Sequence, residues 1–384
     1  MLSFPMKTAR IAGFAMLALA GGILLASQTK ARDCDSPLWS AEVLVEPGSA
    51  PGSGAHVSDS SRAGIVFLND KEIVVYEAGH DTTGPSSRAV REDLNPFSLR
   101  LSLIDSASGK LKSSNEQRMR TQESEVFVIA AGLLVKTGGR LALYSADLIQ
   151  HRDVPFPLDR NSRFSVTVSA SGKTIMLNEV LQNSSESLYS HFEVLDAGTL
   201  TLRYSWNASP PLYHHYSISD QLIAAVDFNR HAIVVSDFGS ASWRVVGKES
   251  GICAGENIPT LFNDKDFFYG CDKFIAMSSD GQSLATEAFP NGETSTTNTA
   301  VAQHAPFVSV SVNAVEMKRH LLAESRATVT ATHILVYDLA TKTRVLTVNV
   351  QPLPNYHFDF ALSPDGSKLA ILNDRRASVC AVPD

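Results

Sequence analysis

Six times along the chain an apolar run ends in a turn that carries an aspartate, at positions 105, 147, 196, 237, 280 and 338, so that the steps are 42, 49, 41, 43 and 58 residues. Leu101-Ser102-Leu103-Ile104-Asp105-Ser106-Ala107-Ser108-Gly109-Lys110 is the clearest instance. A second unit recurs between these: a short polar turn followed by an apolar run. It is sharpest in Ser363-Pro364-Asp365-Gly366-Ser367-Lys368-Leu369-Ala370. Asn69-Asp70-Lys71 before Glu72-Ile73-Val74-Val75-Tyr76 has a near copy in Asn263-Asp264-Lys265 before Asp266-Phe267-Phe268-Tyr269, and Ala170-Ser171-Gly172-Lys173 is a third. A chain with this periodicity stacks similar small sheets, because one such unit cannot bury its own apolar faces.

Steps of about 40 to 50 residues are the period of four-stranded blades arranged around an axis. The runs agree with strands, since Phe164-Ser165-Val166-Thr167-Val168 and Val308-Ser309-Val310-Ser311-Val312 alternate with period two and no long helical periodicity follows residue 31. The long step is read as containing a Thr- and Asn-rich loop insertion at 291–304. The last repeat ends with Ala377-Ser378-Val379-Cys380-Ala381-Val382, a third strand with no fourth after it. Leu38-Trp39-Ser40-Ala41-Glu42-Val43-Leu44-Val45 supplies the missing one, because a ring left unclosed would expose two sheet edges. The fold expected is therefore all-β: a seven-bladed β-propeller of four-stranded antiparallel blades, closed by the N-terminal strand pairing with the last blade. First-hairpin turns near Asp70, Ala131, Ser171, Asp220, Asp264, Met317 and Asp365 also count seven.

The N-terminus reads as a signal peptide over 1–31. Lys7 and Arg10 precede an apolar or Gly run from Ile11 to Ala26, and Thr29-Lys30-Ala31 places small residues at the cleavage positions, with cleavage after Ala31. At 16 residues the run is shorter than the ~20 of a spanning helix. Residues 32–384 then form one propeller domain, with 32–62 as closing strand and linker, secreted or periplasmic and without a membrane anchor. Removing Lys7, Arg10 and Lys30 takes the net charge from −7 to −10. An acidic chain without a basic cluster argues against nucleic acid as partner. Four cysteines in an oxidising compartment favour two disulfides: Cys253 with Cys271, at one end of blade 5, and Cys34 with Cys380, at the closing sheet.

The Ser-Pro-Asp-Gly turn at 363–366 and the blade period resemble the broad group of secreted bacterial propellers with YVTN, lactonase-like and TolB-type (WD-like) repeats. The resemblance is one of fold, and it implies no particular activity. In such a fold, the loops entering each blade and those after its second strand share one face, where ligands meet the disc. The candidates there are Arg163, His214, His215, Tyr216, Arg319, His320, Tyr356, His357 and Asp359. No catalytic residue, metal or cofactor is assigned: Gly-x-Ser-x-Gly, CxxC and phosphate-binding glycine loops are missing, and adjacent His214 and His215 would point to opposite sides of a strand. Trp39, Trp206 and Trp243 are read as packing residues. The reading is a secreted, non-catalytic binding or scaffold module, a single copy that recognises a protein or small molecule on one loop face. The alternative is a lactonase-like hydrolase using channel carboxylates and histidines.

Overall fold

The computed structural model describes residues 32–34, 36–43, 62–80, 97–119, 124–154, 164–182, 188–208, 216–227, 232–240, 242–248, 259–270, 272–289, 293–320, 323–355 and 357–383. Residues 31–384 form one compact unit. Seven sheets succeed one another along the chain; in the first five the strands follow sequence order from inner to outer with antiparallel pairing, and the last two each take one further strand from the N-terminal segment. Blade 1 runs Arg62–Asn69, Glu72–His80, Phe97–Asp105 and Leu111–Met119, and blade 2 begins at Ser124–Ile129. Blade 7 has three strands from the C-terminal end, Phe358–Leu362, Lys368–Asn373 and Arg376–Ala381. Its outer strand is Trp39–Glu42, paired as Trp39↔Val379 through Glu42↔Arg376. The closure read from the sequence is therefore the one that forms.

Seven apolar clusters hold the described residues, and each lies between two neighbouring blades. Ile65, Phe67, Ile73 and Val75 of blade 1 meet Ala370, Leu372, Ala377 and Val379 of blade 7. On the opposite face, Val74, Leu99, Leu101 and Leu103 meet Val126, Leu133, Val135 and Tyr144 of blade 2. The second strand of each blade must bury both faces, which is why Ile73-Val74-Val75, Leu133-Leu134-Val135 and Ile175-Met176-Leu177 are continuously apolar rather than alternating. Trp206 stacks on Phe192 at 5.0 Å, and Trp243 packs against the same cluster, as packing residues should.

The short turns at one end of the disc also carry bonds from blade to blade, all in one direction. Asp365 N donates to Asp70 Oδ1 (2.9 Å), Asp220 N to Asp264 Oδ1 (2.9 Å), and Ser169 Oγ and Thr174 Oγ1 to Asp220 Oδ1 (2.9 Å each). Ala130 N donates to Gly172 O and His304 N to Pro364 O, both at 2.8 Å. In every case the donor belongs to one blade and the acceptor to the next. The repeated Asn-Asp-Lys thus has a physical basis: Asn69 and Asn263 accept from the N–H two residues on, while the aspartate reaches the preceding blade.

Three features depart from the sequence reading. The stretch read as an insertion at 291–304 contains the inner strand of blade 6, Thr294–Val301. An inner strand lines the axis and need not be apolar, so a Thr-rich run suffices. The first-hairpin turn of blade 6 then lies at 302–306, where Ala302 N donates to Phe307 O (3.0 Å), and Met317 sits well inside the second strand, Phe307–His320. The long step comes from this strand and the 16-residue strand Ala323–Asp338 after it. Finally, Arg32–Asp33 adds a fifth strand, parallel, to the outer edge of blade 6 at Leu346 and Thr347. Two residues give no periodicity to read.

That extra strand explains the cysteines. Cys34 donates its N–H to Thr347 O (3.2 Å) and packs among blade 6 residues, while its sulfur bonds Cys380 of blade 7. Trp39, five residues on, donates Nε1–H to Ser106 O of blade 1 (2.8 Å). One short segment therefore fastens three blades. Cys253 and Cys271 lie outside the described residues.

Gly109 lies beneath the Trp39 ring with φ +71°, and a Cβ there would stand 2.7 Å from the ring. Gly109→Ala is expected to lower stability by about 1–3 kcal/mol in urea unfolding, through strain and displacement of Trp39. A change below a few tenths would contradict the close packing. Lys342 holds the same turn position in blade 6 with φ +60° and is exposed, so Lys342→Gly is expected to leave stability unchanged or raise it by up to about 1 kcal/mol.

Candidate functional site

The inner strands place one carboxylate between blades 7 and 1. Asp359 accepts from Ile65 N (2.9 Å) across the junction and from Phe360 N (2.9 Å) in its own strand. Burial pushes its carboxyl up to about 6, against the pull of those two N–H groups. Tyr76 stands opposite Gly64 in the ladder, and the absent Cβ of Gly64 leaves room for the phenol. Burial raises the Tyr76 hydroxyl far above its usual range, and the nearby Asp359 and Glu125 carboxylates add to the effect. Glu125 is itself held by Lys136 (3.2 Å), whose ammonium lies 5.4 Å from the Phe164 ring centre in blade 3. These groups knit blades 7, 1, 2 and 3 together around the axis.

The other face candidates fall in different places. Tyr216 opens the inner strand of blade 4 and is buried edge-on against Phe192 at 5.1 Å, with its hydroxyl 3.5 Å from Ser190 Oγ and pushed up to about 12 by burial. It is part of the junction between blades 3 and 4. His357 donates its backbone N–H to Asp374 Oδ1 (3.2 Å) and accepts from Asp374 N (2.6 Å), which ties the loop entering blade 7 to that blade's second turn. Burial lowers its imidazole, opposed by Asp374. Arg319 and His320 end the second strand of blade 6, away from the first-hairpin turn. Arg163, His214, His215 and Tyr356 lie outside the described residues. Among those described, no group of three His, Cys, Asp or Glu is placed to hold a metal ion.

A groove of about 710 Å³ opens on the rim beside the closing strand. The ladder aligns Glu77, Arg100 and Glu116 across three strands of blade 1, with Arg100 Nη2 at 3.1 Å from Glu116 Oε2. Glu42 and Arg375 of blade 7 face them, and Ser102, Ser114, Ile104 and Leu111 complete the walls. Burial raises the Glu77 carboxyl, opposed by Arg100 and Arg375. Both charge signs thus line one groove, whose end near Gly109 is flanked by Ile104 and Leu111. Its residues belong to strands far apart in sequence, so only the register could have revealed it.

The two ends of the disc differ in their connections. Turns at the hydrogen-bonded end span two to six residues, whereas every connection between described strands longer than six, including 81–96, 155–163, 209–215 and 249–259, leaves from the other end.

No family model and no curated protein sequence matches the chain. Solved structures do match in shape. The WD40 domain of Neurospora crassa Pan2 is similar with a TM-score of 0.52 at 11% identity, covering 91% of this chain and 95% of that one. A chain of the mitotic checkpoint complex is similar with a TM-score of 0.53 at 11% identity, covering 100% and 99%. Identity this low speaks for fold alone, and the fold is a seven-bladed β-propeller.

The Asp359 environment sets a pH dependence. Its folded value of about 6 exceeds its ordinary value of 3.8, so the folded state binds more protons between these and stability falls as pH rises from about 4 to 6. The contribution is about 2–3 kcal/mol. The difference in unfolding free energy between the wild type and Asp359→Asn is expected to change by that amount over this range and to stay level above pH 7. A flat difference would contradict the buried, ionisable placement.

Proposed function

We propose that the chain is exported, loses its leader after Ala31, and serves in the periplasm or outside the cell as a non-catalytic scaffold that recognises a protein or small ligand on the loop end of the disc. The observation that carries this reading is the asymmetry of the two ends. One end is sealed by two- to six-residue turns that bond blade to blade, and all the longer connections leave from the other. Long connections on a rigid frame are the usual seat of recognition. A chain of the same fold, in the mitotic checkpoint complex, belongs to a multi-protein assembly, which supports a protein as the partner. The hydrolase alternative draws on the raised carboxyl of Asp359, but both its oxygens already accept backbone N–H groups, which makes it a structural acceptor.

Photo-crosslinking amino acids at Asn355 and Arg376 at the loop end, and at Ser108 and Lys265 at the turn end, test the reading in the source cell envelope. A discrete adduct is expected from the loop-end positions only, on a chain whose N-terminal residue is Arg32. Adducts confined to the turn end, or a chain retaining residues 1–31, would overturn it.

A further inference from the structure

The second and third strands of blade 6 run on beyond their neighbours. The inner strand starts at Thr294, opposite Asn313, and the outer strand stops at Asn349, opposite His333. Past that level, residues 314–320 and 323–331 pair only with each other among the described residues, as Ala314↔Ala331, Val315↔Val329, Glu316↔Thr328, Met317↔Ala327, Lys318↔Arg326 and His320↔Ala323. The result is a two-stranded ribbon that extends roughly 23 Å from the loop end, at about 3.3 Å per residue.

This ribbon conflicts with its surroundings in two ways. Two strands alone are at best marginally stable in water. Val315 and Val329, opposite one another, are 48% and 41% exposed. A further strand along the free edge would relieve both.

The chain itself supplies that strand. Residues 314–320 read Ala-Val-Glu-Met-Lys-Arg-His. Paired antiparallel with a copy of itself about Met317, this segment puts Glu316 opposite Lys318 of the second copy, and Lys318 opposite its Glu316. The seven residues overlap fully. Centring one residue either way sets glutamate against glutamate or lysine against lysine, so charge selects a single register.

We propose that the edge Ala314–His320 is a self-association site, through which two copies join their ribbons into a continuous four-stranded sheet. A closed two-fold contact of this kind uses the same patch on both partners. It brings the two discs together loop end to loop end. This departs from the single copy expected from the sequence, where blade 6 was read without its ribbon, and it does not rest on the proposed function.

Sedimentation velocity of the mature chain from about 1 to 500 μM tests it, the range that a small interface requires. The wild type is expected to pass from monomer to dimer. Glu316→Lys alone and Lys318→Glu alone should each weaken the dimer at least about tenfold, and the double swap should restore it to within about threefold. Replacing residues 316–328 by Asn-Gly, which turns tightly between Val315 and Val329, should leave a folded monomer. A wild type that stays monomeric throughout, or a dimer that survives either single swap or the ribbon replacement, would overturn the proposal while leaving the scaffold reading intact.

Discussion

Everything in this disc depends on the segment from Arg32 to Val43, because seven sheets packed side by side form a ring only if the last is fastened to the first. The segment does this with four different interactions in sequence. It adds a strand to blade 6, bonds Cys34 to Cys380 of blade 7, supplies the outer strand of that blade, and hangs Trp39 on Ser106 of blade 1. A disulfide between residues 346 apart removes more freedom from the unfolded chain than one closing a short loop. Its position at the junction of blades 6 and 7 places that constraint beside the seam.

Around the rest of the ring, cohesion is shared evenly. Each blade contributes to two apolar clusters, so removing contact on one face weakens one junction and leaves the other. The aspartates of the turns add polar bonds with a common sense of rotation, while near the axis Asp359 of blade 7 accepts from Ile65 of blade 1 in the opposite sense. The frame thus uses much of its titratable chemistry on its own assembly. Outside that shared cohesion lie the rim groove beside the closing strand and the ribbon of blade 6.

The sequence carried the fold because burial on both faces forces apolar second and third strands at a regular period. It carried the Cys34 and Cys380 pairing because ring closure brings the termini together. It misplaced blade 6, since an inner strand such as Thr294–Val301 faces the axis and shows no apolar signature, while its long second and third strands stretch the period. The groove was hidden for a different reason. Glu77, Arg100 and Glu116 become neighbours only through ladder register, which spacing along the chain does not encode. Tyr216 shows the reverse case: an aromatic beside two histidines looked available for a ligand and proves to be core.

Hydrogen exchange of the chain with both Cys34 and Cys380 changed to alanine, compared with the oxidised wild type, tests the role of the closing segment most directly. If closure controls the ring, protection should fall first in Arg376–Ala381, Phe358–Leu362 and Arg62–Asn69, while Thr174–Gln182 and Leu222–Asp227 on the far side retain theirs. Equal loss in all seven blades, or first loss on the far side, would contradict it.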